Sequence, residues 1–302
     1  MQRCAKTHSV AAKIGGCTLD SFLRRAIVRG AALPQTIWVD EFSLVDSSSW
    51  CLLNFLLFAP TPVQIILSGD WAQLPGIGSC YKGAPIANGR VERSQLLHQL
   101  CGGARLTMTV CRRSDAFLFD FYTSLSSGGA RADVPLADVV AEARKLFPRR
   151  GEADYHLVIS HARRKAINNA YNFKYKPEGA VFFGKVPTPG LTSESQSMWL
   201  WPGLEVIACT RAPTHGLRHN VRYRVEAVSA AGVRVAGVGE LTAEQAARHL
   251  RLPWASTYAS AQGLEFDGRL ELCDLSSRHL TRAHLLVGLS RARAHTLVQI
   301  GA

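Results

Sequence analysis

An α/β architecture built on parallel strands is predicted by two features of the sequence and bounded by a third. The first is a strand–helix–strand unit. The apolar run Thr36–Val39 ends in Asp40-Glu41, and the run Val63–Leu67 ends in Ser68-Gly69-Asp70. Between them Asp46 offers a helix N-cap, and Trp50, Leu53, Leu56 and Leu57 recur at helical spacing. Such a βαβ unit implies parallel strands, with acidic residues at the carboxyl ends where α/β sheets bind ligands. The second feature is the return of the same alternation near the end: strands at Trp254–Tyr258 and Arg269–Cys273, a helix over Thr281–Ser290, and a strand at Thr296–Ile300. The third is size. The 302 residues are 47% hydrophobic, which suits one large or two ordinary domains and excludes wholesale disorder.

The intervening elements follow in order. Arg105–Leu125 is mixed, with a helix expected from Ser114 to Leu125, and 126–132 is a loop. Leu136–Leu146 reads as a helix, Tyr155–Ser160 as a strand and Ala162–Phe173 as a basic helix. From Trp199 to Gly239 the pattern changes to short Val-rich runs at Leu204–Ala208, Tyr223–Val228 and Val233–Val235, separated by Gly-containing turns. These predict a small β-barrel inserted into the second half.

Lys plus Arg number 35 and Asp plus Glu 23, a net charge of +12 that favours a polyanionic partner such as nucleic acid. The eight cysteines form no C-x-x-C pair, so zinc is not expected, and reduced thiols in an intracellular compartment are. The longest apolar stretch, near Trp50–Pro60, is too short to span a bilayer, and no apolar block follows Arg3 and Lys6 as a secretory signal requires.

The two acidic strand ends carry the candidate chemistry. An Asp-Glu pair there is how nucleotide hydrolases hold Mg²⁺ and aim a water, the Asp in the metal shell and the Glu against the attacking water. In Gly69-Asp70-Trp71-Ala72-Gln73-Leu74-Pro75 an Asp again ends the strand, and Gln73 is placed to hydrogen-bond a terminal phosphate. Each motif alone is equally an ordinary turn after a strand; the pair on neighbouring strands is more specific.

"WVDEFSLVD" followed by "LSGDWAQLP" resembles the second and third motifs of superfamily-1 helicases of the RecD-like and PIF-type branch. "AKTHSVAAKIGGCTLDSF" resembles the preceding segment through Ala5, Thr7, Ala11, Thr18 and Ser21, while Lys6, His8 and Asp20 depart from it. "VCRRSD" resembles the fourth motif, with Arg112 at its arginine. "TYASAQGLEFDG" resembles the fifth through Thr257, Gln262 and Gly263, with Ala259 and Ser260 in place of His and Lys. "LLVGLSRARA" resembles the sixth through Ser290 and Arg291.

The resemblance implies two RecA-like P-loop NTPase domains closing on ATP: a partial first domain over 1–103 and a second over 104–302, with the barrel-like insert at about 198–250. It implies ATP and Mg²⁺ as cofactors. Asp40 would hold the metal, Glu41 activate water and Gln73 sense the γ-phosphate. Arg112 and Arg291 would stabilise the transferring phosphoryl group, and Asp70 and Gly263 would line the nucleotide site. Thr7, Thr18, Ser21, Phe22, Thr257 and Gln262 would face nucleic acid. Further basic candidates are Arg163, Arg164 and Lys165, and, in the insert, Arg211, His215, Arg218, His219, Arg222 and Arg224. The implied activity is ATP-driven translocation on, and unwinding of, single-stranded or forked DNA by a monomer, in the nucleus of a eukaryote, in repair or recombination. No G-x-x-x-x-G-K-[ST] phosphate loop occurs in these 302 residues. The expectation is therefore a helicase truncated before that loop, with a nucleic-acid-binding remnant lacking ATPase activity as the alternative. A different phosphate-handling enzyme built on the same Asp-Glu pair fits the later motifs less well.

Overall fold

The computed structural model describes residues 1–76, 79–81, 83–186, 195–209 and 214–301, so Arg211 lies outside the described residues. The chain divides into two compact units. The first comprises Met1–Arg112 with Leu125–Gly129, the second Arg113–Ser124 with Ala130–Ala302.

The first unit is a parallel sheet. Strands β1 (Gln2–Ala5), β2 (Cys17–Thr18), β3 (Thr36–Asp40) and β4 (Gln64–Ser68) lie in the order β2-β1-β3-β4. Helix α1 (His8–Lys13) joins β1 to β2, α2 (Leu19–Leu23) follows β2, and α3 (Ser47–Phe55) crosses from β3 to β4. Strand alternation sends Ile37, Val39 and Ile65 to one face, where they are buried with Leu19, Phe22, Leu23, Trp50, Leu53 and Leu56. Each such side chain contributes about 1.5–3 kcal/mol. Truncating Leu53, fully buried on α3, to Ala would cost about 2–5 kcal/mol. Asp46 starts α3 as expected, its Oδ1 accepting from the Ser49 N–H at 2.9 Å.

The opposite face is covered only in part. Val10 and Ala11 of α1 pack on Ala5, but Trp38 is half-buried, and Gln64 and Ile66 are exposed. β4 ends the described sheet. A hairpin of β5 (Cys80–Tyr81) and β6 (Ala84–Pro85) and helices α4 (Asn88–Glu92) and α5 (Gln95–Leu100) follow. Beyond them Leu106, Met108 and Val110 alternate along a segment without regular structure, exposed by 96%, 95% and 68%.

In the second unit, α6 (Ala116–Thr123) and α7 (Leu136–Leu146) precede β7 (Tyr155–Val158) and α8 (His161–Tyr175). A hairpin of β8 (Val181–Phe183) and β9 (Met198–Leu200) leads into the inserted region. There β10 (Glu205–Ala208), β11 (Arg222–Ser229), β12 (Gly232–Val235), β13 (Gly239–Thr242) and β14 (Leu250–Arg251) form an antiparallel sheet ordered β13-β12-β11-β10-β14, with α9 (Ala243–His249) against it. Its end strands do not pair with each other among the described residues, so the expected barrel is here an open sheet over one apolar core. The chain then re-enters a parallel sheet ordered β15-β7-β16-β17, from β15 (Ala255–Thr257), β16 (Leu270–Leu272), α10 (Arg282–Leu289) and β17 (Val298–Ile300). No described helix is long and apolar enough to cross a membrane.

Candidate functional site

In the first unit the acidic strand ends converge because β3 and β4 are parallel neighbours in register. Asp40 pairs with Ser68 across the ladder, and Ala5 with Asp40 on the other side. Asp40 is half-buried. Its Oδ1 accepts from the Ser68 hydroxyl at 2.6 Å, and the Ser68 Oγ accepts from the Trp38 indole N–H at 2.7 Å. Oδ2 of Asp40 carries no hydrogen bond among the described residues.

Glu41 sits in left-handed backbone, φ 54° and ψ 49°, a conformation that costs a non-glycine residue about 1–2 kcal/mol. It turns the chain into a short 3₁₀ segment at Phe42–Leu44. Gly69 supports that turn: a Cβ there would lie 2.8 Å from the Phe42 backbone N, and its φ of 155° is itself one that favours glycine. The following loop is pinned. Asp70 Oδ1 accepts from the Ala72 N–H at 2.9 Å, and the Asn88 amide donates to the carbonyls of Trp71 and Gln73 at 3.1 and 3.0 Å. Trp71 packs on Phe42 with ring centroids 4.3 Å apart. Gln73 Oε1 is buried without a hydrogen-bond partner among the described residues.

Beside these groups lies a charged cluster. The Lys6 ammonium follows β1 and meets Asp20 at 2.7 Å, Ser49 Oγ at 3.1 Å and the Asp46 carboxylate. Burial works against the charge on both Lys6 and Asp46, and their mutual contacts outweigh it. Lys6 rises above its ordinary value, and Asp46, also bonded by Ser48 and the Ser49 N–H, falls well below the carboxylate range.

The nucleic-acid candidates divide by exposure. Ser21 is exposed, Thr7 half-buried. The hydroxyls of Thr7 and Thr18 cap α1 and α2, accepting from Val10 N and Ser21 N. Phe22 requires correction as a base-stacking ring: it is 4% exposed and packs in the core against the sheet, because α2 turns that position inward. In the second unit Arg164 is completely buried, which removes it from a surface phosphate track, whereas Arg163 is exposed. Arg222 is likewise held, its guanidinium 4.7 and 5.5 Å from the Tyr155 and Phe266 ring centroids and 3.1 Å from Glu205. Arg218, Arg224 and His215 are exposed.

The remaining motif residues are also placed. Thr257 is 7% exposed and closes a turn with Ser260, Oγ1 to Oγ at 3.0 Å; Gln262 is 2% exposed; Gly263 adopts a φ of 75°. Asn220 of the insert donates to the Ser260 carbonyl at 2.7 Å, tying the insert to this loop. Arg291 is 1% exposed, and its guanidinium donates to the Val287 and Leu264 carbonyls and to Ser290 Oγ at 3.1, 3.2 and 2.9 Å. Arg112 is exposed, and its neighbour Arg113 pairs with Glu265 at 3.2 Å. Sequence reasoning missed the Lys6 cluster and the role of Ser68. Both depend on which strand ends become neighbours, and only the Asp46 cap signal hinted at the first.

The fold matches solved helicase structures over the whole chain. The chain superposes on Bacteroides Pif1 bound to single-stranded DNA with a TM-score of 0.65, at 17% identity, covering 100% of this chain and 82% of that one. A second match, with a TM-score of 0.67 at 17% identity, is to a structure of DNA unwinding at forked double-stranded DNA by two coordinating Pif1 helicases; it covers 100% of this chain and 81% of the other. Pif1 from Candida albicans matches with a TM-score of 0.62 at 16% identity over 99% and 84% of the two chains. Another Bacteroides Pif1 structure in complex with ADP-AlF3 and single-stranded DNA matches at 0.63 and 17% identity over 100% and 82%. No protein-family model and no curated protein sequence matches the chain. The chain thus shares the mixed α/β fold, with its parallel sheets, of these Pif1 helicase structures.

Proposed function

We propose that the chain is a helicase-like, DNA-binding protein whose first unit carries the metal- and water-handling half of an ATP site. The observation that carries this reading is the in-register parallel pairing of β3 and β4, which brings Asp40-Glu41 and the loop holding Asp70 and Gln73 to the same end of the sheet, in a fold shared with Pif1 proteins solved with DNA and with ADP-AlF3.

The donor set suits Mg²⁺. Among the described residues no three His, Cys, Asp or Glu side chains gather as a metal cage. Mg²⁺ bound with a nucleotide needs only one or two carboxylates, the rest being water and phosphate oxygens. Asp40, with Oδ1 fixed and Oδ2 open, would hold it, and the ion would neutralise charge on the phosphates. Glu41, half-buried at the end of β3, would polarise a water, and Gln73 would orient that water or the terminal phosphate. Arg112 and Arg291 remain the arginines proposed to stabilise the phosphoryl group, and Asp70 and Gly263 to border the nucleotide.

Phosphates also need a cradle of backbone N–H groups and a lysine, and these 302 residues contain no such loop. The same gap favours, as a second reading, a nucleic-acid-binding remnant without ATPase activity.

Two measurements test the proposal. The 302-residue chain should bind single-stranded DNA in a salt-dependent manner and show negligible ATPase. DNA-stimulated turnover of about 1 s⁻¹ or more would show that another segment cradles the phosphates. In a chimera supplying a phosphate-loop strand and helix ahead of β1, Glu41→Gln should abolish hydrolysis while nucleotide binding persists. Unchanged turnover there would remove Glu41 from the reaction.

A further inference from the structure

We infer that Ser68 is a positioning residue for the Asp40 carboxylate, acting as the middle of a three-member hydrogen-bond relay that begins at Trp38. The relay is built by the sheet. Trp38 and Asp40 are two residues apart on β3 and so share a face, and the parallel register sets Ser68 beside Asp40 on that same face. The Trp38 indole N–H donates to Ser68 Oγ at 2.7 Å, and the Ser68 hydroxyl donates to Asp40 Oδ1 at 2.6 Å.

The direction of each bond is fixed by chemistry. An indole N–H is a donor only, so Ser68 Oγ must accept from Trp38, and its single proton is then left for Asp40. An ionised carboxylate only accepts, which closes the sequence without ambiguity. A serine hydroxyl alone rotates among three staggered wells; with the indole on its lone pair it is aimed. The short O–H···O⁻ distance is that of a charge-assisted hydrogen bond. Oδ1 is thereby engaged and Oδ2 alone is presented, as a single-oxygen ligand requires. Supporting partners of this kind orient metal-binding carboxylates elsewhere, and their loss weakens metal binding about 10–100-fold.

Neither Trp38 nor Ser68 is in the core: both are half-buried on the partly covered face. Packing therefore does not explain why a large indole stands next to a serine at this strand end. The other charged groups nearby are accounted for. Arg3, the neighbour of Trp38 on β1, donates to the Ile14 carbonyl at 3.0 Å, and Glu41 and Asp70 lie beyond the strand ends.

The inference rests on the proposed metal role of Asp40 for its purpose, and the relay itself is tested without metal or nucleotide. The probe is the Trp38 indole N–H resonance of the 302-residue chain at neutral pH, assigned with Trp38→Phe. Removing the carboxylate charge in Asp40→Asn should shift that resonance through Ser68, whereas Glu41→Gln and Asp70→Asn should leave it in place. In a Ser68→Ala background Asp40→Asn should have no further effect, and in a Ser68→Thr background its effect should return. A merely structural Ser68 would leave the effect of Asp40→Asn unchanged in every background. Should Ser68→Ala fail to fold, Ser68→Cys, a weaker donor, should shrink the effect. A resonance that ignores Asp40→Asn, or an effect that survives in Ser68→Ala or at full size in Ser68→Cys, overturns the relay. If the relay holds but Asp40→Asn leaves ATP hydrolysis intact in the phosphate-loop chimera, the metal assignment fails and the relay stands.

Discussion

Lys6→Met is the substitution with the best-defined cost, because the side chain keeps its length while its charge is lost. In the native structure the Lys6 ammonium, 20% exposed, lies against Asp46, 15% exposed, and Asp20, 58% exposed. The Asp20 contact is a surface ion pair worth about 0.2–1 kcal/mol. The Asp46 contact is closer to a buried pair, for which removing one partner costs about 3–5 kcal/mol. Partial exposure lowers that figure, as do the hydrogen bonds that Asp46 retains from Ser48 and the Ser49 N–H. The expected loss is about 2 kcal/mol, read as a lower urea midpoint with an unchanged slope.

The pH dependence carries the sharper test. Asp46 is held below its ordinary value, so its contribution is complete above about pH 4 and declines as pH falls beneath that. Lys6 is held above its ordinary value of 10.5, so its contribution is complete below that pH and is lost as pH rises further. The difference between wild type and Lys6→Met should therefore be widest between about pH 5 and about pH 10 and close at both ends. Asp46→Asn separates charge from cap: it should lose the pairing but keep most of the N-cap, whereas Asp46→Ala should cost about 1 kcal/mol more. A difference under about 0.5 kcal/mol at neutral pH, or one that does not vary with pH, would refute the assignment of this cluster as the charged brace of the first unit.

Two further substitutions follow from the geometry. Gly69→Ala places a Cβ 2.8 Å from the Phe42 backbone N, so it should destabilise the first unit by about 1–3 kcal/mol, measurable as a lower urea midpoint. In the inserted sheet, replacing the exposed Arg218 and Arg224 by Ala should flatten the salt dependence of single-stranded DNA binding, by about 0.7 in log–log slope for each phosphate that an arginine had neutralised. Arg222→Ala should instead lower stability, since its guanidinium lies over Tyr155 and Phe266. A filter-binding titration at several salt concentrations, set beside thermal melts of the same variants, distinguishes the two groups of arginines.

Much of the scaffold was legible because its signals are local. The Leu136–Leu146 helix coincides with its apolar spacing, and the strands at β3, β4, β7, β10–β12 and β15–β17 fall within the runs read as strands, or a residue or two beyond them. The Asp46 cap and the acidic strand ends were visible for the same reason. What sequence could not show was the fate of individual polar groups. The helicase resemblance implies Thr7 and Thr18 as nucleic-acid contacts, yet their hydroxyls cap the helices they begin. Phe22 and Arg164 sit in motif-like segments, but helix phase, which a motif match does not encode, turns both inward. β1 was missed as a strand because Gln2–Ala5 is too short to display a period.

Arg291 shows how far motif position and physical availability can part. Its guanidinium joins the end of α10 to the loop after Gly263 through Leu264, and three of its donors are spent on protein oxygens. Bringing it to any phosphate means giving up those bonds, about 0.5–1.5 kcal/mol each, unless the phosphate replaces them. Arg293, two residues on, is 60% exposed and makes ion pairs to Glu265 and Asp267, which cost little to exchange for a ligand. Arg113 shares Glu265, so the two arginines and the carboxylates of Glu265 and Asp267 form one ion-pair network. In the conformation described, Arg291 is thus a clamp between two motif segments, and a phosphate contact by it requires a change in the loop it holds. Loss of function in Arg291→Ala would report that clamp as much as any charge at a nucleotide. Arg291→Lys, which keeps the charge but not the three-way hydrogen bonding, is the substitution that tells the two apart.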